Sequence, residues 1–321
     1  MKDKIILVTG GTGSWGNELV KQLLETDVSQ IRIFSRNEFS QVTMERKFDN
    51  SKLKFIIGDV RELDAITDAC KGVDVVYHLS ALKHIPVCEK YPWEAIRTNI
   101  DGTRNVIEAS IVNNVSKVID VSSDKAVDPL NLYGMTKAIG EKLIIHANTR
   151  TNKTKFICVR GGNVLGSNGS VVPYFINQIK KNNEVQITDK RMTRYFLTLH
   201  DAISLLFIAA ESDVAGGIFV MKMPACKILD LAWVLMKNLG ERGGEIKEIG
   251  IRQGEKLHEV LVSKYESPYA YEWSESYYVI DQNKSFEGKR KKVIFEEYNS
   301  SENLMDENQI EQMLIKGGFL K

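Results

Sequence analysis

Apolar and polar positions alternate in a regular rhythm through the first half of the chain. Lys4 to Thr9 holds the unbroken apolar run Ile5-Ile-Leu-Val8, the mark of a central parallel strand. A glycine-rich turn follows, and then a helical segment from Asn17 to Glu25. Gln30 to Phe34, Leu53 to Ile57 and Asp74 to His78 read as the second, third and fourth strands. Glu94 to Asn114 reads as one long amphipathic helix. The run Val118 to Val121 is the fifth strand and Lys155 to Arg160 the sixth. Six strand–helix repeats predict an α/β fold, a doubly wound parallel sheet of the Rossmann type.

After about residue 165 the rhythm changes to short, irregular and aromatic segments. Val185 to Ile187 and Tyr195 to Leu199 read as strands. Asp201 to Glu211, Lys227 to Leu239 and Glu307 to Lys316 read as helices. The division expected is a dinucleotide-binding domain over 1–165 and a smaller α/β substrate-binding domain over 166–321, some of whose segments return to the sheet.

Composition narrows the class. With 43% hydrophobic and 26% charged residues the chain is an ordinary globular one. Its net charge of +1 gives no electrostatic reason for a nucleic-acid or anionic-membrane partner. No apolar run approaches the length of a membrane span. The charged start, which leads into a glycine turn, reads as strand and not as a signal peptide. Cys70, Cys88, Cys158 and Cys226 are too scattered for a disulfide framework or a metal site, and they suit a reducing cytoplasm.

Candidate chemistry begins at the turn Gly10-Gly-Thr12-Gly13-Ser14-Trp15-Gly16. A glycine pattern alone is weak, but between a first strand and a helix it brings backbone N–H groups close to a pyrophosphate. The second strand ends in Ser35 and Arg36, not in the carboxylate that NAD-binding proteins use for the ribose diol. A guanidinium there suits a 2′-phosphate, which favours NADP; the bland alternative is a solvated surface arginine. Asp59 and Val60 follow the third strand, where they can meet the adenine. Small residues Ser80 and Ala81 follow the fourth and let the cofactor pass. Lys83 and His84 overhang the substrate side, and Asn99 is placed to present an amide to the cofactor.

The fifth strand ends in Ser122, Ser123, Asp124 and Lys125, at the sheet end where open α/β folds bind ligands. A break at Asp128-Pro129 precedes a helix that carries Tyr133 and Lys137. Residues four apart share a helix face, and an ammonium beside a phenol favours the phenolate. Tyr133 is therefore a candidate base. In the second half, Arg194 and Arg252 suit a diphosphate, because guanidinium forks match phosphate oxygens; the alternative is a pair of surface salt bridges.

Taken together, seven motifs resemble the extended short-chain dehydrogenase/reductase superfamily. They are Thr9-Gly-Gly-Thr-Gly-Ser-Trp-Gly16, Ser80-Ala-Leu-Lys-His-Ile-Pro86, Ser122-Ser-Asp-Lys-Ala126, Tyr133-Gly-Met-Thr-Lys137, Gly162-Asn-Val-Leu-Gly-Ser167, Met192-Thr-Arg194 and Arg252-Gln-Gly-Glu-Lys-Leu-His-Glu259. Within that superfamily the chain is similar to the C5-inverting UDP-N-acetylglucosamine 4,6-dehydratases, over nearly its whole length to about residue 280. The resemblance implies that Tyr133 deprotonates the sugar O4 while C4 gives hydride to NADP, with Lys137 tuning it and holding ribose. It implies Lys125 as base at C5 and Asp124 as acid at the departing C6 hydroxyl, the hydride then returning to C6. The order makes chemical sense, because a C4 ketone acidifies the C5 proton. Thr188, Met192, Arg194, Arg252 and Glu255 would hold the uridine diphosphate, with Lys83 and Asn163 beside the sugar. Relatives of this kind form dimers or hexamers, so a homo-oligomer is expected. The chain departs from the family at Gly161, where an aromatic is usual, at Asn168, where arginine is frequent, and at Gln253, which replaces a common proline. The same Tyr133 and Lys137 would also serve a UDP-sugar 4-epimerase.

Overall fold

The computed structural model describes residues 1–166 and 170–321. The first half builds β1 (Ile5–Thr9), β2 (Gln30–Ser35), β3 (Leu53–Ile57), β4 (Val75–His78), β5 (Lys117–Ser123) and β6 (Lys155–Gly161). Helices cover the faces of these strands: α1 (Ser14–Leu24), α2 (Glu38–Phe48), α3 (Leu63–Ala69), α4 (Ile85–Lys90), α5 (Pro92–Ile96), α6 (Gly102–Val112) and α7 (Leu132–Ala147). The apolar runs form strands because both faces of a parallel sheet are covered: Ile6, Leu7, Val8, Val118, Ile119 and Phe156 to Val159 are fully buried. α1 packs through Gly16, Leu19, Val20 and Leu23, one face at helical spacing.

Two expectations need correction here. The helix expected at Asn17 starts at Ser14, so the glycine turn runs straight into it. The long helix expected over 94–114 is interrupted by a π-helical turn, Arg97–Asp101, between α5 and α6. Asn99 lies in that turn, with its side chain bonded to the backbone of Leu82, and such wide turns accommodate a local demand of this kind.

The second half adds β7 (Asn163–Val164), α8 (Val171–Asn182), β8 (Glu184–Ile187), β9 (Thr193–Leu197), α9 (Leu199–Glu211), β10 (Ile218–Met221), β11 (Ala225–Lys227), α10 (Ile228–Leu239), β12 (Glu245–Glu248), β13 (Val260–Val262), β14 (Ala270–Glu272), β15 (Tyr277–Ile280), β16 (Tyr298–Asn299) and α11 (Glu307–Lys316). β9 ends two residues before the strand expected to reach Leu199. Thr198 instead caps α9, its hydroxyl accepting from the Asp201 backbone while the Asp201 carboxylate reaches back.

Among the described residues the main sheet has nine strands, in the order β14-β15-β10-β6-β5-β4-β1-β2-β3. β10 pairs parallel with β6, and β15 pairs antiparallel with β10. The six strands read from the sequence are thus extended by three from the second half. Beside this sheet, Phe175, Val185, Ile187, Leu231, Leu235, Ile310 and Leu314 form a second apolar core. Residues 281–321, which carried no chemical signal, contribute α11 to it. No helix of the described residues is long and apolar enough to cross a membrane.

Candidate active site

A crevice of about 740 Å³ opens over the carboxyl ends of β1, β2, β4, β5 and β6. Gly10 has φ +66°, and a Cβ there would lie 2.9 Å from the Ser80 backbone nitrogen. Glycine lets the β1 and β4 turns touch. Gly13 then caps α1 with no side chain, and the first turn of α1 carries no acidic residue. Gly10, Thr12, Gly13, Ser14, Trp15 and Gly16 all line the crevice at this end. A helix start capped by a glycine and facing a cavity of this size fits a dinucleotide.

Ser35, Arg36, Asp59 and Val60 line the next stretch. The Ser35 hydroxyl accepts from Gln41 Nε2 at 3.0 Å. Both carboxylate oxygens of Asp59 accept from Arg61, one from its backbone at 3.0 Å and one from Nε at 2.8 Å. Burial raises the Asp59 pKa, but Arg61 and Arg36 outweigh it and hold the carboxyl below its ordinary range. Arg36 is half exposed, 3.7 Å from Asp59. Ser80, Ala81, Lys83, His84, Ser122, Lys125, Tyr133 and Asn163 complete the wall, with Arg252 and Glu255 closing from the second half. Asn99 is not in the wall. Its amide is engaged by Leu82 and by the Thr136 hydroxyl.

The end of β5 turns through a short 3₁₀ segment, Asp124–Ala126, directly under the start of α7. A Cβ on Gly134 would lie 2.2 Å from the Lys125 carbonyl oxygen, so glycine is what allows Tyr133 and Lys125 to approach. Lys125 Nζ lies 3.0 Å from Asp124 Oδ1, 3.4 Å from Asn163 Oδ1 and 3.7 Å from Glu259 Oε1. Burial pulls the Lys125 pKa down, but Asp124 and Glu259 together hold it above the ordinary lysine value. Asp124 is fully buried behind Lys125, and its Oδ2 has no hydrogen-bond partner among the described residues. Ser123 donates to Asp124 Oδ1 at 2.8 Å, and its hydroxyl also helps to lower the Tyr133 phenol pKa. Ser122 lines the wall, its hydroxyl unpartnered among the described residues.

Tyr133 departs from expectation in one respect. Burial raises its phenol pKa, and the lowering by Lys137, Lys125 and Ser123 does not overcome it. The helix spacing gave the right neighbours but not the cost of excluding water. Lys83 is exposed at the crevice rim; partial desolvation there and the nearby Lys125 ammonium both depress its pKa.

A smaller recess of about 100 Å³ adjoins Lys125 and is lined by Asn163, Arg194, Glu255, Lys256 and Glu259. Arg194 faces it, but its guanidinium donates to the carbonyls of Thr193, Leu257 and Lys256 at 2.7, 3.2 and 2.9 Å. It therefore shapes the loop that carries Glu259. Thr188 and Met192 lie outside both cavities and touch each other, hydroxyl to sulfur, at 3.2 Å. Gly161 faces Trp15, whose indole lies 3.2 Å from where a Cβ would be. Ser167 and Asn168 lie outside the described residues.

A doubly wound sheet with a glycine turn, a Tyr-x-x-x-Lys helix and an acid–base pair at the end of β5 defines an extended short-chain dehydrogenase/reductase acting on nucleotide sugars. Residues 6–281 match the family described as "Polysaccharide biosynthesis protein", and the chain belongs to it. It is 46% identical over 312 residues to the UDP-glucose 4-epimerase of Rickettsia bellii (strain RML369-C), covering 93% of this chain and 91% of that one. Its fold matches Pen from Bacillus thuringiensis with a TM-score of 0.94 at 36% identity, over 100% of this chain and 99% of that one. A UDP-N-acetylglucosamine 4-epimerase from Methanobrevibacter ruminantium M1, solved with UDP-N-acetylmuramic acid, matches with a TM-score of 0.69 at 25% identity over 79% and 88% of the two chains. The dTDP-glucose 4,6-dehydratase DesIV from Streptomyces venezuelae, solved with NAD and TYD, shares the fold with a TM-score of 0.71 at 20% identity over 79% and 86%. The protein is thus an enzyme of the nucleotide-sugar dehydratase and epimerase family.

Proposed function

We propose that this enzyme is an NADP-dependent UDP-N-acetylglucosamine 4,6-dehydratase that inverts C5, giving UDP-2-acetamido-2,6-dideoxy-β-L-arabino-hexos-4-ulose and water. The observation that carries the reading is the Lys125 ammonium, set in the crevice wall beside Tyr133 and 3.0 Å from Asp124. A 4-epimerase needs a base at O4 but has no use for a buried acid–base pair. The end of β2 favours NADP, because it offers Arg36 while Asp59 is already engaged by Arg61. A UDP-sugar bearing an N-acetyl group, as in the Methanobrevibacter complex, fits the same family.

When bound, the nicotinamide supplies a hydride acceptor and donor and one further positive charge in the crevice. The residues supply the rest. Tyr133 takes the proton from O4. Passage of the Lys125 proton to Asp124 turns an ion pair into a neutral base and a neutral acid in one step. Lys125 then removes the C5 proton, and the Asp124 proton leaves with the C6 hydroxyl as water. These two transfers return Lys125 and Asp124 to the resting ion pair, and the proton that Tyr133 took from O4 passes to solvent before the next turnover. A proton from solvent, added to C5 on the face opposite Lys125, balances the one taken from O4 and yields the L-sugar.

The second reading is a UDP-sugar 4-epimerase, favoured by the name of the Rickettsia relative. Lys125→Ala separates the two. Dehydration should fall by about 10²-fold or more, the usual scale for losing a general base. An epimerase would keep most of its activity, and that outcome overturns the dehydratase.

A further inference from the structure

Thr9, His78, Asp120 and Cys158 stand side by side at one level of four adjacent parallel strands. All four are fully buried. A carboxylate at the centre of a parallel sheet is costly unless it is paired. Its partner comes from the helix above: Lys137 Nζ lies 3.4 Å from Asp120 Oδ2, and Lys137 is as buried as Asp120. Among the described residues Asp120 Oδ1 has no hydrogen-bond partner, and it lies 4.0 Å from His78 Nε2.

The neighbours fix the His78 protons. The Thr103 hydroxyl donates to the Asn99 carbonyl at 2.7 Å, so at 3.2 Å from His78 it accepts from Nε2–H. Nδ1 then accepts from the Thr9 hydroxyl at 2.7 Å. This tautomer follows from the hydrogen-bond pattern. Burial holds the imidazole neutral, its pKa brought down to about 4 although Asp120 pulls it up. The other titratable groups facing this point are Tyr133 and Cys158, and burial raises both. Among the described residues, Asp120 is therefore the one acidic side chain within ion-pair distance of Lys137.

A fully buried lysine without a counter-ion gives up its proton several units below its ordinary value. A neutral Lys137 would no longer favour the phenolate of Tyr133. We propose that Asp120 is a positioning residue: it keeps Lys137 charged and anchored behind Tyr133, so that a carboxylate outside the crevice sets the strength of the base inside it. This rests on the reading that Tyr133 and Lys137 work together in the reaction.

The test is carbon NMR of cofactor-free enzyme labelled at lysine Cε, with the Lys137 signal assigned by its loss in Lys137→Met. Wild-type Lys137 should stay charged across the range in which ordinary lysines begin to titrate. In Asp120→Asn its midpoint should fall by about two units or more, while Asp120→Glu stays near wild type. Turnover by Asp120→Asn should fall about tenfold or more, and the substitution should add less than about twofold to the loss already caused by Lys137→Met. A Lys137 that stays charged in Asp120→Asn, or losses that simply multiply, overturns the proposal. Should the asparagine variant not fold, Asp120→Ser takes its place in the titration. The NMR readout needs no turnover. A wild-type enzyme inactive on every UDP-sugar would sink the functional reading, while the Lys137 titration would still decide the role of Asp120.

Discussion

Gly134→Ala tests the packing of α7 on the β5 turn. The added methyl would lie 2.2 Å from the Lys125 carbonyl oxygen and 3.1 Å from both the Lys125 carbonyl carbon and Pro129 Cβ. Carbon–oxygen contacts settle at about 3.3–3.6 Å, so the start of the helix must move away from the turn by about 1 Å. Overpacking of this kind costs about 1–3 kcal/mol, and alanine returns about 1 kcal/mol of helix propensity. The net loss of stability is therefore small, about 0–2 kcal/mol. Activity should respond far more, because a 1 Å misplacement of reacting groups can cost about 10²-fold. Gly140→Ala, on the same helix, is the control. Its nearest neighbours would be 3.9 Å away, an ordinary contact, so it should keep wild-type activity. The assay is dehydration rate alongside thermal unfolding for both variants. A Gly134→Ala enzyme within about threefold of wild type would refute the claim that this contact sets the site.

Three further outcomes follow from the structure. Arg160 is buried between Glu141 and Glu266 and hydrogen-bonds both carboxylates; Arg160→Met strands two buried acids and should cost about 3–5 kcal/mol in denaturant unfolding. Arg36→Ala should weaken NADP by roughly 10- to 100-fold, the scale of one charge-assisted hydrogen bond, and leave NAD unchanged in a fluorescence titration; an equal loss for both would remove Arg36 from the 2′-phosphate. His78 has a folded pKa of about 4, below its unfolded value, so the unfolded chain binds a proton first as pH falls. Stability should therefore drop by up to about 1.4 kcal/mol per pH unit between about pH 6.5 and 4, and His78→Gln should flatten that slope.

The parts legible in the sequence are those fixed by chain continuity. The first strand, its glycine turn and α1 are contiguous, as are β5, the Ser-Ser-Asp-Lys turn and the Tyr133–Lys137 helix face. What escaped depends on distant partners. β10 is a four-residue apolar segment that becomes a strand only by pairing with β6. Glu259 joins Lys125 from far along the chain, and Arg194 is held by backbone carbonyls that no spacing reveals. Asp120 was visible as an acid within an apolar run, but its partner Lys137 lies on another element. Burial reversed the direction expected for the Tyr133 phenol, because an ammonium four residues away is legible and desolvation is not.

The most direct measurement is product NMR after incubation with UDP-N-acetylglucosamine and NADP in deuterated water. A 4-keto-6-deoxy product, one water lighter, with deuterium at an inverted C5 is the predicted result. A product of unchanged mass altered only at C4, or a C5 that keeps its original hydrogen, would contradict the assignment of Lys125 and Asp124.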